Sequence, residues 1–469
     1  MAAADTVIDN YIAASASRGQ VVELASVHQQ IAESILYGYD VLPSAIHLTA
    51  STLAMRSPDV PVRKMNLFSL PLGGPERKLG SIEFLRGQAT QMPLDLFGAL
   101  PKPQQVTGQA MEELTSAPLP NLDLCVMNPP FVRSVIGNLL FGSLPEAERK
   151  PMQKDLKKLV KQPEIRANIT AGLGSVFVAI GDKYLKPGGR IALVLPKAVL
   201  SGVSWRETRE LINEKYAVEF IIASQDPERW NFSESTDLSE VMLIAKKRAT
   251  DTPAQARVTI VNLWRNPQNT LEALAIANML NQSDPPDIVT GQGALEIKVG
   301  EAKFGEATSS SWNELRDDWM LPATFAQSDL VRVGYHLARG DIWLPGHGIQ
   351  ANVPLCSMIH FASAGPDGRD IHDGFEVTDS FTAYPALWGH KSEEVRTLEH
   401  EPNKYLSPLT EPKEGRPLRK LTDLWPKSSR LLIGARIWLK TQNVLAVRLS
   451  HPVLSNVWWP LKIETRVSR

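Results

Sequence analysis

The sequence predicts an α/β fold: a mostly parallel sheet flanked by helices, followed by a smaller mixed α/β region. Three observations predict it. The run Leu122-Asp123-Leu124-Cys125-Val126-Met127 is nearly all apolar, as expected of a central strand buried on both faces of a parallel sheet, and Asn128-Pro129-Pro130-Phe131 stops it. Strand-like and helix-like stretches alternate through residues 30–250. From about residue 312 long helical patterns give way to many prolines and to tryptophans at 312, 319, 343, 388, 425, 438, 458 and 459. The expected organisation is therefore a domain over 1–250, a bridging strand and helix over 251–311, and a separate region over 312–469.

The whole chain narrows the function classes. With 469 residues it has room for two or three domains. Composition, 43% hydrophobic and 22% charged, is that of a soluble globular protein, and no apolar run approaches the length of a membrane span. Residues near Met1 include Asp5 and Asp9 and lack a basic leader, so no secretory signal is read there. Two cysteines, Cys125 and Cys356, support neither a disulfide framework nor a metal cluster, and a reducing cytoplasmic setting is expected. A net charge of −1 means that any nucleic-acid surface must be a local patch.

In chain order, 2–15 and 21–35 read as amphipathic helices. Ile35-Leu36-Tyr37-Gly38-Tyr39-Asp40 reads as a short strand ending in an acid, and Pro43 opens a helix through Met55. Residues 56–80 look loop-like, and Leu79-Gly80-Ser81-Ile82-Glu83-Phe84-Leu85 reads as a third strand, before a proline-rich insertion. Beyond Phe131, residues 144–168 are helical and basic, through Arg149, Lys150, Lys154, Lys157, Lys158, Lys161 and Arg166. That stretch is either a solvated face or a phosphate contact. A helix over 174–185, the turn Lys186-Pro187-Gly188-Gly189 and the strand Arg190–Pro196 follow. A helix from Trp205, the strand Ala217–Ile222 and an apolar strand from Leu238 to Lys246 complete the set.

Asn128 is the chemically telling residue. Two prolines lock φ and offer no N–H to a sheet ladder, so a carboxamide is held at the carboxyl end of a strand, where open α/β sheets keep their ligands. Its oxygen and the Pro129 carbonyl are two acceptors suited to both hydrogens of an amino group conjugated to a ring. Preorganised dipoles of this kind favour a more nucleophilic nitrogen. Phe131 can stack on a planar substrate. The plainer reading is a proline-stiffened turn ending a core strand.

Asn-Pro-Pro-Phe after such a strand resembles the catalytic motif of S-adenosylmethionine-dependent amino-group methyltransferases, above all the N6-adenine DNA methyltransferases. The resemblance covers residues 30–250 and implies a Rossmann-like class I methyltransferase domain. It implies that Asp40 and Val41, in Gly38-Tyr39-Asp40-Val41-Leu42-Pro43, hold the cofactor's ribose, and that Ser81 and Ile82 lie against its adenine. Asn128 is implied to contact cofactor and substrate amine alike, together with Pro129, Pro130 and Phe131. An acid serving the dipole of the next helix is the other reading of Asp40. Asn231–Leu238 resembles the tract that supplies a second aromatic to the target base, here Phe232, which could equally be a lid over core. The glycine-rich loop expected before Asp40 is missing, so the chain looks truncated at its N-terminus relative to the family. A permuted order would place that loop at Thr290-Gly291-Gln292-Gly293 or Pro345-Gly346-His347-Gly348. Asp284-Pro285-Pro286 imitates an acidic variant of the catalytic motif but has neither strand nor aromatic.

The region after 312 loosely resembles a target-recognition region. Its clustered cations include Arg416, Arg419, Lys420, Lys427, Arg430, Arg436 and Lys440. Arg430, Arg436 and Lys440 are the DNA-binding candidates. Together these features read as the catalytic and recognition parts of a DNA adenine-N6 methyltransferase from a restriction-modification or phage-defence system. It would use S-adenosyl-L-methionine, double-stranded DNA and a specificity or restriction subunit, with neither metal nor membrane. Rivals are a methyltransferase of RNA or of a protein glutamine, and a non-catalytic DNA-binding or subunit-interaction remnant.

Overall fold

The computed structural model describes the chain except residues 1, 87–101, 109, 132–139, 230–231, 233–238, 250–256, 316, 340, 345–347, 352–358, 362–365, 367, 390–394, 396, 436–444 and 464–469. It forms two compact units, Met1–Ser328 and Asp329–Arg469.

The first unit opens with helices α1 (Ala2–Ala16) and α2 (Leu24–Gln30), the latter running into a π-helical turn. Strand β1 (Tyr37–Asp40) leads to α3 (Pro43–Ala54), with proline at its first position where no N–H is needed. The stretch expected to be loop contains β2 (Lys64–Ser69) and a small hairpin, β3 (Leu72–Gly73) and β4 (Lys78–Leu79). Ser81 and Ile82 are not on a strand: Gly80–Arg86 is a 3-10 helix. Gly80 has a φ of +61°, which turns the chain out of β4 before a third strand can form. Strands β5 (Gln104–Thr107) and β6 (Ala110–Glu113) complete a four-stranded sheet in the order β1-β2-β5-β6, with β1 parallel to β2.

A second sheet of this unit holds Asn128. Its strands are β7 (Leu122–Met127), β8 (Leu185–Pro196), β9 (Tyr216–Ser224), β10 (Glu240–Lys247), β11 (Arg257–Leu263), β12 (Leu295–Val299) and β13 (Ala302–Ser311). Among the described residues they run in the order β12-β13-β11-β9-β10-β8-β7. β7 pairs β8 in parallel and β9 pairs β11 in parallel, whereas β10 lies antiparallel between β8 and β9. The segment read as a bridge thus adds β11 to β13 to this sheet. Helices α4 (Glu146–Leu159), α5 (Leu173–Tyr184), α6 (Arg206–Lys215), α7 (Thr270–Gln282), α8 (Trp312–Leu315) and α9 (Ser328–Ala338) follow the chain. The basic helix expected over 144–168 stops at Leu159. Trp205, Trp312 and Trp319 pack with Leu193, Ile221 and Leu243 in the central apolar cluster.

β7 corrects one expectation. It is an edge strand, not a central one, and only one of its faces is covered: Cys125 is buried, whereas Leu124 is 45% and Val126 63% exposed. An apolar run cannot tell a doubly covered strand from one whose second face is open, because both alternate sets of residues are apolar.

The second unit is built on an eight-stranded sheet. Its described strands include β14 (Asp341–Leu344) with β15 (Gly348–Ala351) as a separate pair, and β16 (Ile359–Phe361), β17 (Phe375–Thr378), β18 (Pro385–Leu387), β19 (Glu399–His400), β20 (Lys404–Pro408), β21 (Ser429–Gly434), β22 (Ala446–Ser455) and β23 (Trp458–Ile463). Ile371, Phe375, Leu406, Leu424 and Leu454 form one apolar cluster, and Leu432, Val447, Val453 and Trp458 another.

Candidate active site

The carboxyl ends of β7 and β8 place the candidate catalytic residues. The parallel register sets Cys125 against Ile191 and Met127 against Leu193, so both strands deliver their chains to the same edge of the sheet. Helix α5 fixes β7 from the covered face. Gly181 lets the two approach so closely that an added Cβ would lie 2.7 Å from Ile191 Cδ1 and 3.1 Å from Met127 Cε. The same packing buries Cys125 and pushes its thiol up to about 11. Beyond Met127, Pro129 is buried while Asn128 and Pro130 are exposed and Phe131 is half-buried. A buried ring anchors the backbone, and a carboxamide stands at the surface beside it.

Three further segments reach this edge. The antiparallel β10 starts there, with Glu240 fully buried and partnered with Pro196. Glu240 Oε2 accepts the Phe232 N–H at 2.6 Å, which ties the loop carrying Phe232 to the same edge. The Phe232 ring itself is half-buried and packs against the buried apolar cluster that includes Val261 and Phe304. Lys197, the residue after β8, is buried there, and nothing in the motif-based reading singles it out. A lysine flanked by Leu195-Pro196 and Ala198-Val199-Leu200 is the signal that could have found it.

Asp40 ends β1. Its Oδ1 accepts the Leu42 N–H at 2.8 Å just before α3, and its own carbonyl accepts the Leu70 N–H at 2.8 Å. Val41 is brought against Gly80, where an added Cβ would lie 2.6 Å from Val41 Cγ1. The backbone therefore sets Asp40 and Val41 beside Ser81, which is half-buried, and Ile82, which is buried. These four candidates come together. Asp40 belongs to a different sheet from the strand that leads to Asn128, and the two regions are joined through an apolar cluster that includes Tyr39, Leu79, Ile82, Leu119, Leu122 and Tyr184. Tyr39 Oη donates to the Pro118 carbonyl across that junction, and burial raises its pKa.

At the opposite end of the seven-stranded sheet, Asp182 accepts from Lys215 at 2.7 Å and Tyr216 at 3.1 Å, with Lys247 at 3.2 Å. This network locks the starts of β8 and β9 and does not face Asn128. In the second unit Arg430 is exposed on β21, and Arg436 and Lys440 lie outside the described residues. Arg416 pairs with Asp373 at 3.1 Å and Arg419 with Asp370 at 3.0 Å, so part of that cluster is engaged within its own unit. The loop candidate Thr290–Gly293 follows an isolated bridge, Asp287 to Ser309, and the other, Pro345–Gly348, lies mostly outside the described residues. Among the described residues no group of three metal-ligating side chains occurs, and no helix is long and apolar enough to cross a membrane.

No protein-family model matches the sequence, and no curated protein matches it. Similar solved structures include the M protein of the type I restriction enzyme EcoKI, 20% identical over 31% of this chain and 26% of that one, with a TM-score of 0.21. The methyltransferase subunit of a type I restriction-modification system from Streptococcus thermophilus is 17% identical over 42% and 36%, with a TM-score of 0.28. A modification subunit of a type I restriction enzyme from Vibrio vulnificus YJ016 is 18% identical over 42% and 34%, with a TM-score of 0.22. The match spans less than half the length of each of these chains.

Proposed function

We propose that this chain is the catalytic and recognition part of an S-adenosyl-L-methionine-dependent DNA methyltransferase acting on N6 of adenine. The observation that carries the reading is Asn128: an exposed carboxamide, followed by a buried proline, at the carboxyl end of a parallel strand pair. Asn128 Oδ1 and the Pro129 carbonyl accept the two amine hydrogens of an extruded adenine and draw its nitrogen lone pair out of conjugation. Extrusion itself costs a few kcal/mol and needs an aromatic surface, which Phe131 and Phe232 supply.

The residues present fit the nucleoside half of the cofactor. Asp40 keeps Oδ1 on the Leu42 N–H, and its second carboxylate oxygen is suited to ribose hydroxyls. Val41, Ser81 and Ile82 supply a mixed polar and apolar wall. When bound, the cofactor supplies an electrophilic methyl group on a sulfonium. The protein's part is to hold the amine in line with it and to keep water from the amine. DNA and a specificity or restriction subunit are the partners proposed, with Arg430, Arg436 and Lys440 on the phosphates.

Asn128→Ala tests this reading by transfer of radiolabelled methyl groups to duplex DNA. Loss of one preorganised partner raises the barrier by ~2.7–4 kcal/mol. Turnover should fall by two to three orders of magnitude, with melting unchanged because the side chain is exposed. Near-wild-type turnover ends the catalytic assignment. One observation favours a second reading, a DNA-binding part without catalysis: among the described residues β1 and β7 are the outermost strands of two different sheets. Calorimetric titration with S-adenosylmethionine separates the two, since only the first requires binding.

A further inference from the structure

Lys197 is a buried amine, 7% exposed, with no hydrogen-bond partner for its Nζ among the described residues. Burial pushes its ammonium down to about 8. Such a group is destabilising where it stands, because a buried donor that makes no hydrogen bond loses its hydration for nothing. Its backbone is firmly placed: the Lys197 N–H donates to the Ser239 carbonyl at 2.7 Å, and Pro196 before it is partnered with Glu240.

Its position gives the lysine a use. β7 and β8 run in parallel, so Asn128 and Lys197 both follow the ends of their strands on the same edge of the sheet. Glu240 begins the neighbouring strand at that edge and holds the Phe232 amide. Asn128 Oδ1 and the Pro129 carbonyl are acceptors, and in this reading both are taken up by the amine hydrogens of the base. A 6-aminopurine also presents two ring nitrogens flanking its amino group, N1 and N7, and each accepts from a donor.

We propose that Lys197 donates to a ring nitrogen beside the amino group of a 6-aminopurine base held at this edge, and so helps select that base. The inference rests on the reading of Asn128 as an amine-binding residue and adds to it a donor that at N1 distinguishes adenine from bases with a ring N–H there, and at N7 distinguishes purines from pyrimidines. Lys197 acts on the base by binding and is given no part in proton transfer.

The test measures affinity of the full chain for thymidine 12-mers that carry one central adenine, 1-deazaadenine, 7-deazaadenine or an abasic site. Wild type should prefer adenine over one of the two deaza analogues by about tenfold to a hundredfold, the range of a hydrogen bond to a charged donor. Lys197→Met should bind adenine only as well as wild type binds that analogue, and should melt at or above the wild-type temperature. Equal wild-type binding to adenine and both analogues overturns the proposal, as does full discrimination in Lys197→Met. A variant that weakens abasic and adenine oligonucleotides alike, with a flatter salt dependence, marks a phosphate contact and also overturns it. Failure of wild type to prefer adenine over the abasic site removes the base-binding reading itself, and the proposal with it. Lys197→Arg, which keeps the donor and charge, serves as the control for lost packing.

Discussion

The close approach of α5 to β7 and β8 at Gly181 can be tested quantitatively. In Gly181→Ala the new methyl would meet Ile191 Cδ1 at 2.7 Å, well inside the 3.5–4.0 Å optimum for carbon pairs, with Met127 Cε at 3.1 Å and Cys125 Sγ at 3.7 Å. Ile191 is 1% exposed in the central cluster and has little room to yield. Overpacking of this kind costs ~1–3 kcal/mol, and replacing a helical glycine by alanine returns ~1 kcal/mol. The net effect should be a loss of ~1 kcal/mol. Ile191→Val removes the clashing atom and alone should cost ~0.5–1.5 kcal/mol through the cavity it leaves. Combined, the methyl fills the vacated space and the helix gain remains, so the double variant should lie within ~0.5 kcal/mol of wild type rather than ~2 kcal/mol below it. Urea unfolding followed by tryptophan fluorescence reports this, because Trp205, Trp312 and Trp319 share the cluster with Ile191. Additivity of the two substitutions within ~0.5 kcal/mol would refute the close packing that fixes the strand leading to Asn128.

The remaining predictions concern recognition and pH. Phe232→Ala should weaken capture of an extruded base by ~1–3 kcal/mol while leaving intact duplex binding nearly unchanged, as read by 2-aminopurine fluorescence at the target position. An unchanged signal assigns its ring to the cluster with Val261 and Phe304 alone. Arg430→Ala should lower affinity for specific and unrelated duplexes alike and reduce the slope of log K against log salt by about 0.9; loss at one sequence only would make it a base reader instead. Lys197 should also shape stability against pH. Its folded value, about 8, lies below the ordinary 10.5, so the unfolded chain binds the extra proton between these values and stability rises as pH climbs from 8 to 10.5. The advantage of Lys197→Met over wild type in urea unfolding should therefore be constant below pH 8 and shrink above it.

Much of the first unit was legible because its strands and helices carry strong periodic patterns. The helices expected over 2–15, 174–185 and from Trp205 form at Ala2–Ala16, Leu173–Tyr184 and Arg206–Lys215. The strands after Gly189 and after Lys215 form as well. Prolines misled the reading of 56–80: Pro71 and Pro75 flank and interrupt a hairpin, while β2, Lys64–Ser69, has no proline and pairs in parallel with β1. Gly80 was equally opaque. Its positive φ and its approach to Val41 convert an apparent strand into a 3-10 turn, and neither property is written in the local pattern. Of the candidate site, the end of β7 was legible because two consecutive prolines leave the backbone few options. Lys197 was not, since burial of a single lysine is set by β10 and the helices packed around it.

The edges explain why the half with Asn128 was easier to read than the arrangement of the half with Asp40. Residues 122–196 make a parallel pair of successive strands, β7 and β8, which are neighbours in the sheet as in the chain, and β10 then inserts between β8 and β9. Asp40 and Asn128 belong to one proposed site, but their strands are outermost in separate sheets and are linked only through side chains such as Tyr39 and Leu122. Backbone hydrogen bonds, which transmit register from strand to strand, do not cross that junction among the described residues. The relative position of the two halves is therefore set by apolar packing and by side-chain hydrogen bonds, among them the Tyr39 hydroxyl on the Pro118 carbonyl, the Tyr184 hydroxyl on the Phe84 carbonyl and Lys183 Nζ on the Leu85 carbonyl. Packing of this kind tolerates sliding where a paired strand does not. Leu124 and Val126, exposed on the outermost strand, lie on the face of β7 that none of that packing covers.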